Sequence, residues 1–234
     1  MYKELQKQYE LLSLEDKNAL LIYKSRLHDF INKIDLILYN ENIKNEYKNK
    51  YEDFKEILNK PENTFIKYSI FNTINLKTYD LFLKSIKIVE KRIFEIRQIK
   101  LPLDTKVYRA VTINDLNDIN EIALSNLIST SLNIEVTDSF YTYDGQDVLY
   151  QINLDKGTPC LIVPYSIKIY DNNNRQILKI EKNDSQNEII LFKDSLDYKI
   201  TSKHYLEEEN LIVTKVDTTY KKNITKWKDR IKKI

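Results

Sequence analysis

The spacing of hydrophobic residues changes at Pro102, and this change constrains the fold more than any other feature of the chain. Before Pro102, apolar residues recur at intervals of three and four, which is the period of an amphipathic helix. Two such runs are present: Leu20, Tyr23, Leu27, Phe30, Ile31 and Ile34, and later Phe82, Ile86, Val89, Ile93 and Ile96. Ser13–Asp16 fits a helix N-cap with an acid at its end, and Pro61 interrupts the helical pattern. Residues 1–100 are therefore predicted to be helical.

After Pro102 the chain carries short apolar runs separated by polar breaks, which predict β-strands. The runs are KVYRAV, NLISTSLN, DVLYQINL, PCLIVPY, EIILF, DYKITSKHY and NLIVTKV. Helices and strands that occupy separate blocks of sequence are typical of the α+β class. We therefore predict a helical N-terminal lobe over residues 1–100 and a β-rich core over residues 101–234, packed together as one unit.

The counts of three residue types exclude several classes of protein. Gly145 and Gly157 are the two glycines, so neither a glycine-rich dinucleotide motif nor a P-loop can be present. Cys160 is the one cysteine, which precludes an internal disulfide. With His28 and His204 as the two histidines, a zinc site is not expected either. The formal net charge of +2 gives no general case for nucleic-acid binding.

Polar residues interrupt three of the predicted strands. Arg109 lies in the middle of VYRAV, where a buried cation needs an anion or a carboxylate as its partner. Hydroxyl groups occupy Ser129–Ser131, and Gln186 and Glu188 share one face at the start of EIILF, since alternate residues of a strand point the same way. Taken alone, each has an ordinary structural explanation: an ion pair, a plain strand or an exposed strand end. If the three strands lie side by side, these groups converge on one cleft.

Such a cleft would suit chemistry at a glycosidic bond. Arg109 would hold a phosphate, and Glu188 would stabilise the positive charge of an oxocarbenium-like transition state. A serine would orient the carboxylate through a hydrogen bond. Only one carboxylate belongs to the set, whereas a standard glycosidase uses two. A single carboxylate suits a leaving group that needs no proton, and nicotinamide is one because its ring nitrogen in NAD is already cationic.

These residues resemble the signature of the ADP-ribosyltransferase exoenzymes, which is an arginine, an STS motif and a (Q/E)-x-E motif. The matching stretches are LPLDTKVYRAV, NLISTSLN and SQNEIILF, in the order of the family. The resemblance covers residues 65–218 and includes Rho-modifying exoenzymes and the enzymatic components of actin-modifying binary toxins. It implies a mixed, mainly antiparallel β-sandwich core that binds NAD as a substrate, needs no metal, and carries the helical part packed on it.

The resemblance also implies a role for each matching position. Glu188 is expected to stabilise the oxocarbenium-like state, Gln186 to orient the acceptor, and Ser129 to position Glu188. Further residues are expected to bind NAD or shape its site: Arg109, Ala110, Asn126, Thr130, Ser131 and Phe140. Ala110 replaces the glycine of many relatives, and Phe140 fits a core position as well as a contact to nicotinamide.

The identity of the acceptor is left open. Relatives with Glu at the position of Gln186 mostly modify arginine, whereas those with Gln modify asparagine on small GTPases or guanine. An amide both donates and accepts hydrogen bonds, so Gln186 predicts an acceptor other than arginine. A target protein is expected, such as a small GTPase. The alternatives are guanine in nucleic acid or nucleotides, an NAD glycohydrolase, and a non-catalytic docking module that keeps the fold.

Other parts of the chain bear on target recognition and on delivery. YSIKIYDNNNRQILKIEKNDS is longer than the target-recognition loop of relatives, and it predicts an extra hairpin that helps to read the target. The basic segment NITKWKDRIKKI leaves room for a nucleic-acid substrate. The resemblance implies delivery into the cytosol of a target cell, although MYKELQKQYE shows no signal peptide and no apolar run reaches membrane-spanning length. The helical lobe could dock a separate delivery component, but we favour a supporting role.

Overall fold

The computed structural model describes residues 7, 9–24, 27–59, 73–113, 127–135, 137, 146–163, 166–170, 176–181, 188–192, 195–207 and 210–221. The chain divides into two compact units. The helical unit is Leu11–Ile96, and the β-unit comprises Met1–Glu10 and Arg97–Ile234. The prediction of an α+β chain with its helices ahead of its strands is confirmed. Within the described ranges, no helix is long and apolar enough to cross a membrane.

The helical unit contains four described helices, and side chains cap the N-termini of three of them. Their bounds are α1 (Leu14–Lys24), α2 (His28–Tyr39), α3 (Glu41–Asn59) and α4 (Tyr79–Glu95). The predicted cap is present, because Ser13 Oγ accepts a hydrogen bond of 3.1 Å from the backbone N–H of Asp16. Thr78 caps α4 in the same way, accepting from the N–H of Leu81. The periodic apolar residues that predicted these helices are buried.

Aromatic rings and ion pairs fix the helices against one another. Phe82 of α4 packs on rings from α2 and α3, including Phe30 at 5.0 Å and Tyr51 at 4.9 Å between centroids. Lys87 of α4 bridges Asp35 of α2 and the buried Glu90, at 2.5 Å to each carboxylate. The helical unit therefore has its own hydrophobic core and its own ion pairs between helices.

The β-unit contains ten described strands, which include every run that the sequence predicted. They are β1 (Ile99–Lys100), β2 (Thr105–Ile113), β3 (Leu127–Ser131), β4 (Gln146–Leu154), β5 (Pro159–Val163), β6 (Ser166–Tyr170), β7 (Gln176–Glu181), β8 (Glu188–Phe192), β9 (Leu196–Leu206) and β10 (Leu211–Tyr220). Eight of them are hydrogen-bonded in the order β1-β5-β8-β3-β2-β4-β10-β9, while β6 and β7 pair as a separate hairpin. β4 and β10 run parallel and the other pairs antiparallel, so the predicted mixed, mainly antiparallel sheet is confirmed.

The eight-stranded sheet consists of two four-stranded layers that meet at one point. In the described residues, β2 and β3 pair only at Tyr108↔Ser131, and we call this contact the seam. Side chains from both layers nevertheless form one buried cluster, for example Val107 and Ile152 from one layer and Ile189 from the other. Two layers that share one core agree with the predicted β-sandwich. The three strands that carry the predicted site, β2, β3 and β8, lie side by side at the seam.

Candidate active site

Ser129 and Glu188 are brought together by the register of β3 and β8. Ser131 lies opposite Glu188, and Ser129 lies opposite Ile190. Both serines and Glu188 therefore share one face of the layer, with Ser129 diagonal to Glu188. Ser129 Oγ donates a hydrogen bond to Glu188 Oε1. Ile189, between Glu188 and Ile190, points to the opposite face and lies in the buried cluster of the β-unit.

Arg109 reaches the same serine from the neighbouring layer. It lies on β2 opposite Tyr150 of β4, on the inward face that it shares with Val107. The guanidinium is partly buried, and Nη1 donates a hydrogen bond of 2.9 Å to the backbone oxygen of Ser129 across the seam. The predicted arginine, serine and glutamate therefore form one connected chain of contacts, in which Ser129 is the central member.

The two other residues of the STS motif have different surroundings. Thr130 points to the inward face and is 3% exposed, and its Oγ1 donates a hydrogen bond of 2.8 Å to the backbone oxygen of Ile189. Thr130 therefore ties β3 to β8 from the core side. Ser131 Oγ accepts a hydrogen bond of 3.0 Å from the N–H of Asn133, which directs the chain where β3 ends.

Of the four remaining predicted site residues, only Ala110 lies within the described residues. Ala110 is partly buried on β2 and lies opposite Leu149, on the face of the sheet away from Arg109. Asn126, Phe140 and Gln186 lie outside the described residues. Their roles remain predictions.

Tyr108 lies beside the candidate site, although nothing in the sequence singled it out. It is partly buried, and it pairs with Ser131 on the side away from Glu188. Because paired residues share a face, Tyr108 rather than Arg109 lies on the face of Glu188. Its position next to Arg109 in the sequence was visible, but its place beside Ser131 depends on strand order, which the sequence does not reveal.

The surroundings of Cys160 do not suit a nucleophile. It lies on β5 with no exposed surface, among apolar residues of the buried cluster. Burial raises the pKa of the Cys160 thiol to about 12, so the thiol stays protonated at neutral pH. No group of three or more His, Cys, Asp or Glu residues in the described part of the chain is placed to hold a metal ion.

The comparisons with known proteins found similarity to solved structures alone. Neither the protein-family models nor the curated proteins gave a match. One similar structure is C3larvin toxin, an ADP-ribosyltransferase from Paenibacillus larvae, with 14% identity over 94% of this chain and 93% of that chain, and a TM-score of 0.42. Another is the Clostridium limosum C3 exoenzyme, with 14% identity, 93% and 92% coverage, and a TM-score of 0.47.

A third similar structure is the ADP-ribosylating toxin BECa, part of a binary enterotoxin of C. perfringens, solved with NADH. Its identity to this chain is 15%, the match covers 93% of this chain and 46% of that chain, and the TM-score is 0.46. All three of these structures are described as ADP-ribosylating toxins or exoenzymes.

Proposed function

We propose that this protein is an NAD-dependent mono-ADP-ribosyltransferase of the toxin or effector type, which transfers ADP-ribose from NAD to a protein side chain and releases nicotinamide. The observation that carries the proposal is the connected set of Arg109, Ser129 and Glu188 at the seam. It combines a cation, a hydroxyl that orients a carboxylate, and a single carboxylate. This combination suits the cleavage of an N-glycosidic bond whose leaving group is already cationic.

The proposed reaction needs no proton from the protein to release nicotinamide. The bond between the anomeric carbon and the ring nitrogen breaks, and nicotinamide departs with the electron pair as a neutral molecule. The positive charge moves to the ribose, where the carboxylate of Glu188 stabilises it. The acceptor atom then forms a bond to the anomeric carbon, and its proton passes to solvent or to a nearby basic group.

The surroundings of Glu188 favour a fixed carboxylate. The hydrogen bond from Ser129 Oγ restricts the orientation of the Glu188 side chain, while Ile189 and Ile190 have no exposed surface and anchor the strand that carries it. A carboxylate that is held in place before substrate binds loses little freedom during the reaction. We therefore assign Ser129 the positioning of Glu188.

In the proposed complex Arg109 acts on the phosphate side of NAD. A guanidinium carries five N–H donors, so the bond from Arg109 Nη1 to the oxygen of Ser129 is compatible with a phosphate contact. The same bond joins β2 to β3 at the point where the layers meet. Arg109 would thus contact the phosphate of the substrate and the backbone of β3 at the same time.

The proposed target follows from the residue type of Gln186, which lies outside the described residues. An amide at this position suits an asparagine acceptor, as on a small GTPase, better than arginine. The hairpin of β6 and β7 is present in the segment that was predicted to read the target. Action in the cytosol of a target cell follows from this assignment. We propose that the helical unit supports the enzyme rather than docking a delivery component.

The direct experiment uses NAD labelled in the adenylate phosphate, so that the label stays with ADP-ribose. The protein is incubated with this NAD and, separately, with host-cell proteins, with nucleic acid and with buffer. We expect label on a protein, and its loss in Glu188→Ala but not in Glu207→Ala, which changes an exposed glutamate directly after β9. Label on nucleic acid would favour guanine modification, and free ADP-ribose alone would favour a glycohydrolase. No nicotinamide release under any condition would refute the proposal.

A further inference from the structure

A row of residues crosses the sheet through the proposed catalytic carboxylate. The partners in register are Val163, Glu188, Ser131, Tyr108 and Gln151, on β5, β8, β3, β2 and β4. Residues that lie directly opposite each other in neighbouring strands point to the same face. Ser131 is therefore flanked on one side by a carboxylate and on the other by an aromatic ring.

The spacing of this row fits a flat ligand. Paired residues of antiparallel strands have Cα atoms about 4.5–5.5 Å apart, so the Cα atoms of Glu188 and Tyr108, which both pair with Ser131, lie within about 11 Å of each other. Ser131 has a short side chain and is 8% exposed, whereas Glu188 and Tyr108 are both partly exposed. A ring stacked at about 3.5–4.0 Å on Tyr108 would lie above Ser131 and toward Glu188.

The two flanking groups both favour a positively charged ring. The face of a phenol attracts a cation through the quadrupole of the ring, and a carboxylate attracts it by charge. The nicotinamide ring of NAD is a cation until the glycosidic bond breaks, and the released nicotinamide is neutral. From this geometry we infer that Tyr108 forms the second wall of the nicotinamide site, opposite Glu188, and selects the cationic ring of NAD. The inference rests on the proposed function for the identity of the ligand.

If Tyr108 contacts nicotinamide, its substitution should affect NAD and ADP-ribose differently. If Tyr108 only joins the two layers, its substitution should affect both ligands equally. Tyr108 belongs to the pair that joins the two layers, so its removal could act through stability alone. A purely structural change would weaken every ligand of the site alike. Loss of the nicotinamide wall would weaken NAD and spare ADP-ribose, which has the same phosphates and adenosine but no nicotinamide.

The experiment is calorimetric titration with NAD and with ADP-ribose in a Glu188→Gln background, where NAD is expected to be consumed at least about a hundredfold more slowly. We expect Tyr108→Leu to weaken NAD binding about threefold to thirtyfold, which is the range of a cation–π contact, and to leave ADP-ribose within twofold. Tyr108→Phe should bind NAD as the parent does. Tyr198→Leu on β9, where Tyr198 is 38% exposed, is the matched control and should change neither ligand.

Unchanged NAD binding in Tyr108→Leu, or an equal loss of NAD and ADP-ribose, would overturn the inference. NAD binding that depends on Tyr108 in a protein whose wild type transfers nothing would support the inference and refute the proposed function. A parent protein that binds no NAD would refute both.

Discussion

Substituting Ser129 by alanine separates the positioning of Glu188 from the other contacts of the seam. The change removes the hydroxyl that donates to Glu188 Oε1. It keeps the backbone oxygen of Ser129, to which Arg109 donates, so the contact on the phosphate side is retained. We therefore expect kcat to fall while the KM for NAD stays nearly constant.

The size of the effect follows from the kind of hydrogen bond that is lost. A hydrogen bond to a charged group contributes about 1.5–3 kcal/mol. If this energy acts fully on the transition state, kcat falls about tenfold to 150-fold. Glu188 is partly exposed, so water can replace the hydroxyl in the ground state. The free energy of unfolding should therefore change by less than about 1 kcal/mol.

The assay is the rate of nicotinamide release at saturating NAD, combined with thermal unfolding of each variant. Ser129→Thr keeps a hydroxyl on the same carbon and should retain kcat within a few-fold. Ser202→Ala removes a hydroxyl on β9, at the far edge of the sheet, whose buried oxygen has no hydrogen-bond partner among the described residues; it should leave kcat unchanged and should not lower the unfolding temperature. A Ser129→Ala protein with wild-type kcat would refute the positioning role. The positioning role would also be refuted if the free energy of unfolding fell by as much as the free energy of activation rose.

Three further predictions concern other contacts. Arg109→Lys keeps the charge but not the fork of donors, so the KM for NAD should rise about tenfold, and an unchanged KM would contradict the proposed phosphate contact. Thr130→Val removes a buried hydrogen bond at nearly constant volume and should lower the free energy of unfolding by about 1 kcal/mol, measured by urea denaturation, with little effect on kcat. Burial acts to raise the pKa of Asp29, but hydrogen bonds from Tyr47 and Lys50 and the charge of Lys33 outweigh it and lower the pKa. The stabilisation from Asp29 should therefore be present above its unfolded pKa of about 4 and be lost as the pH falls below it, and Asp29→Asn should show a smaller acid-induced loss in denaturation curves.

Local signals in the sequence predicted those parts of the structure that depend on neighbouring residues. The cap at Ser13 and the alternation that places Glu188 and Ile190 on one face are both set within a few residues of chain. The α+β class followed from the separate blocks of helical and strand periodicity. These features require no knowledge of which distant segments meet.

Features that depend on distant pairing were not predictable in the same way. β3 lies between β8 and β2, and β4 pairs in parallel with β10, because hydrophobic layers from remote segments share one core. Periodicity within a strand carries no signal for its neighbour. The place of Tyr108 on the face of Glu188, and the reach of Arg109 to Ser129 from the inward face, follow from this strand order.

Nicotinamide release from NAD by the wild type and by Glu188→Gln is the most direct test of the proposed role of Glu188. Glutamine keeps the shape of the side chain and removes its negative charge, so it isolates the electrostatic role proposed for Glu188. We expect the wild type to release nicotinamide and Glu188→Gln to do so at least about a hundredfold more slowly, with an unchanged unfolding temperature. Equal rates in the two folded proteins would contradict this role.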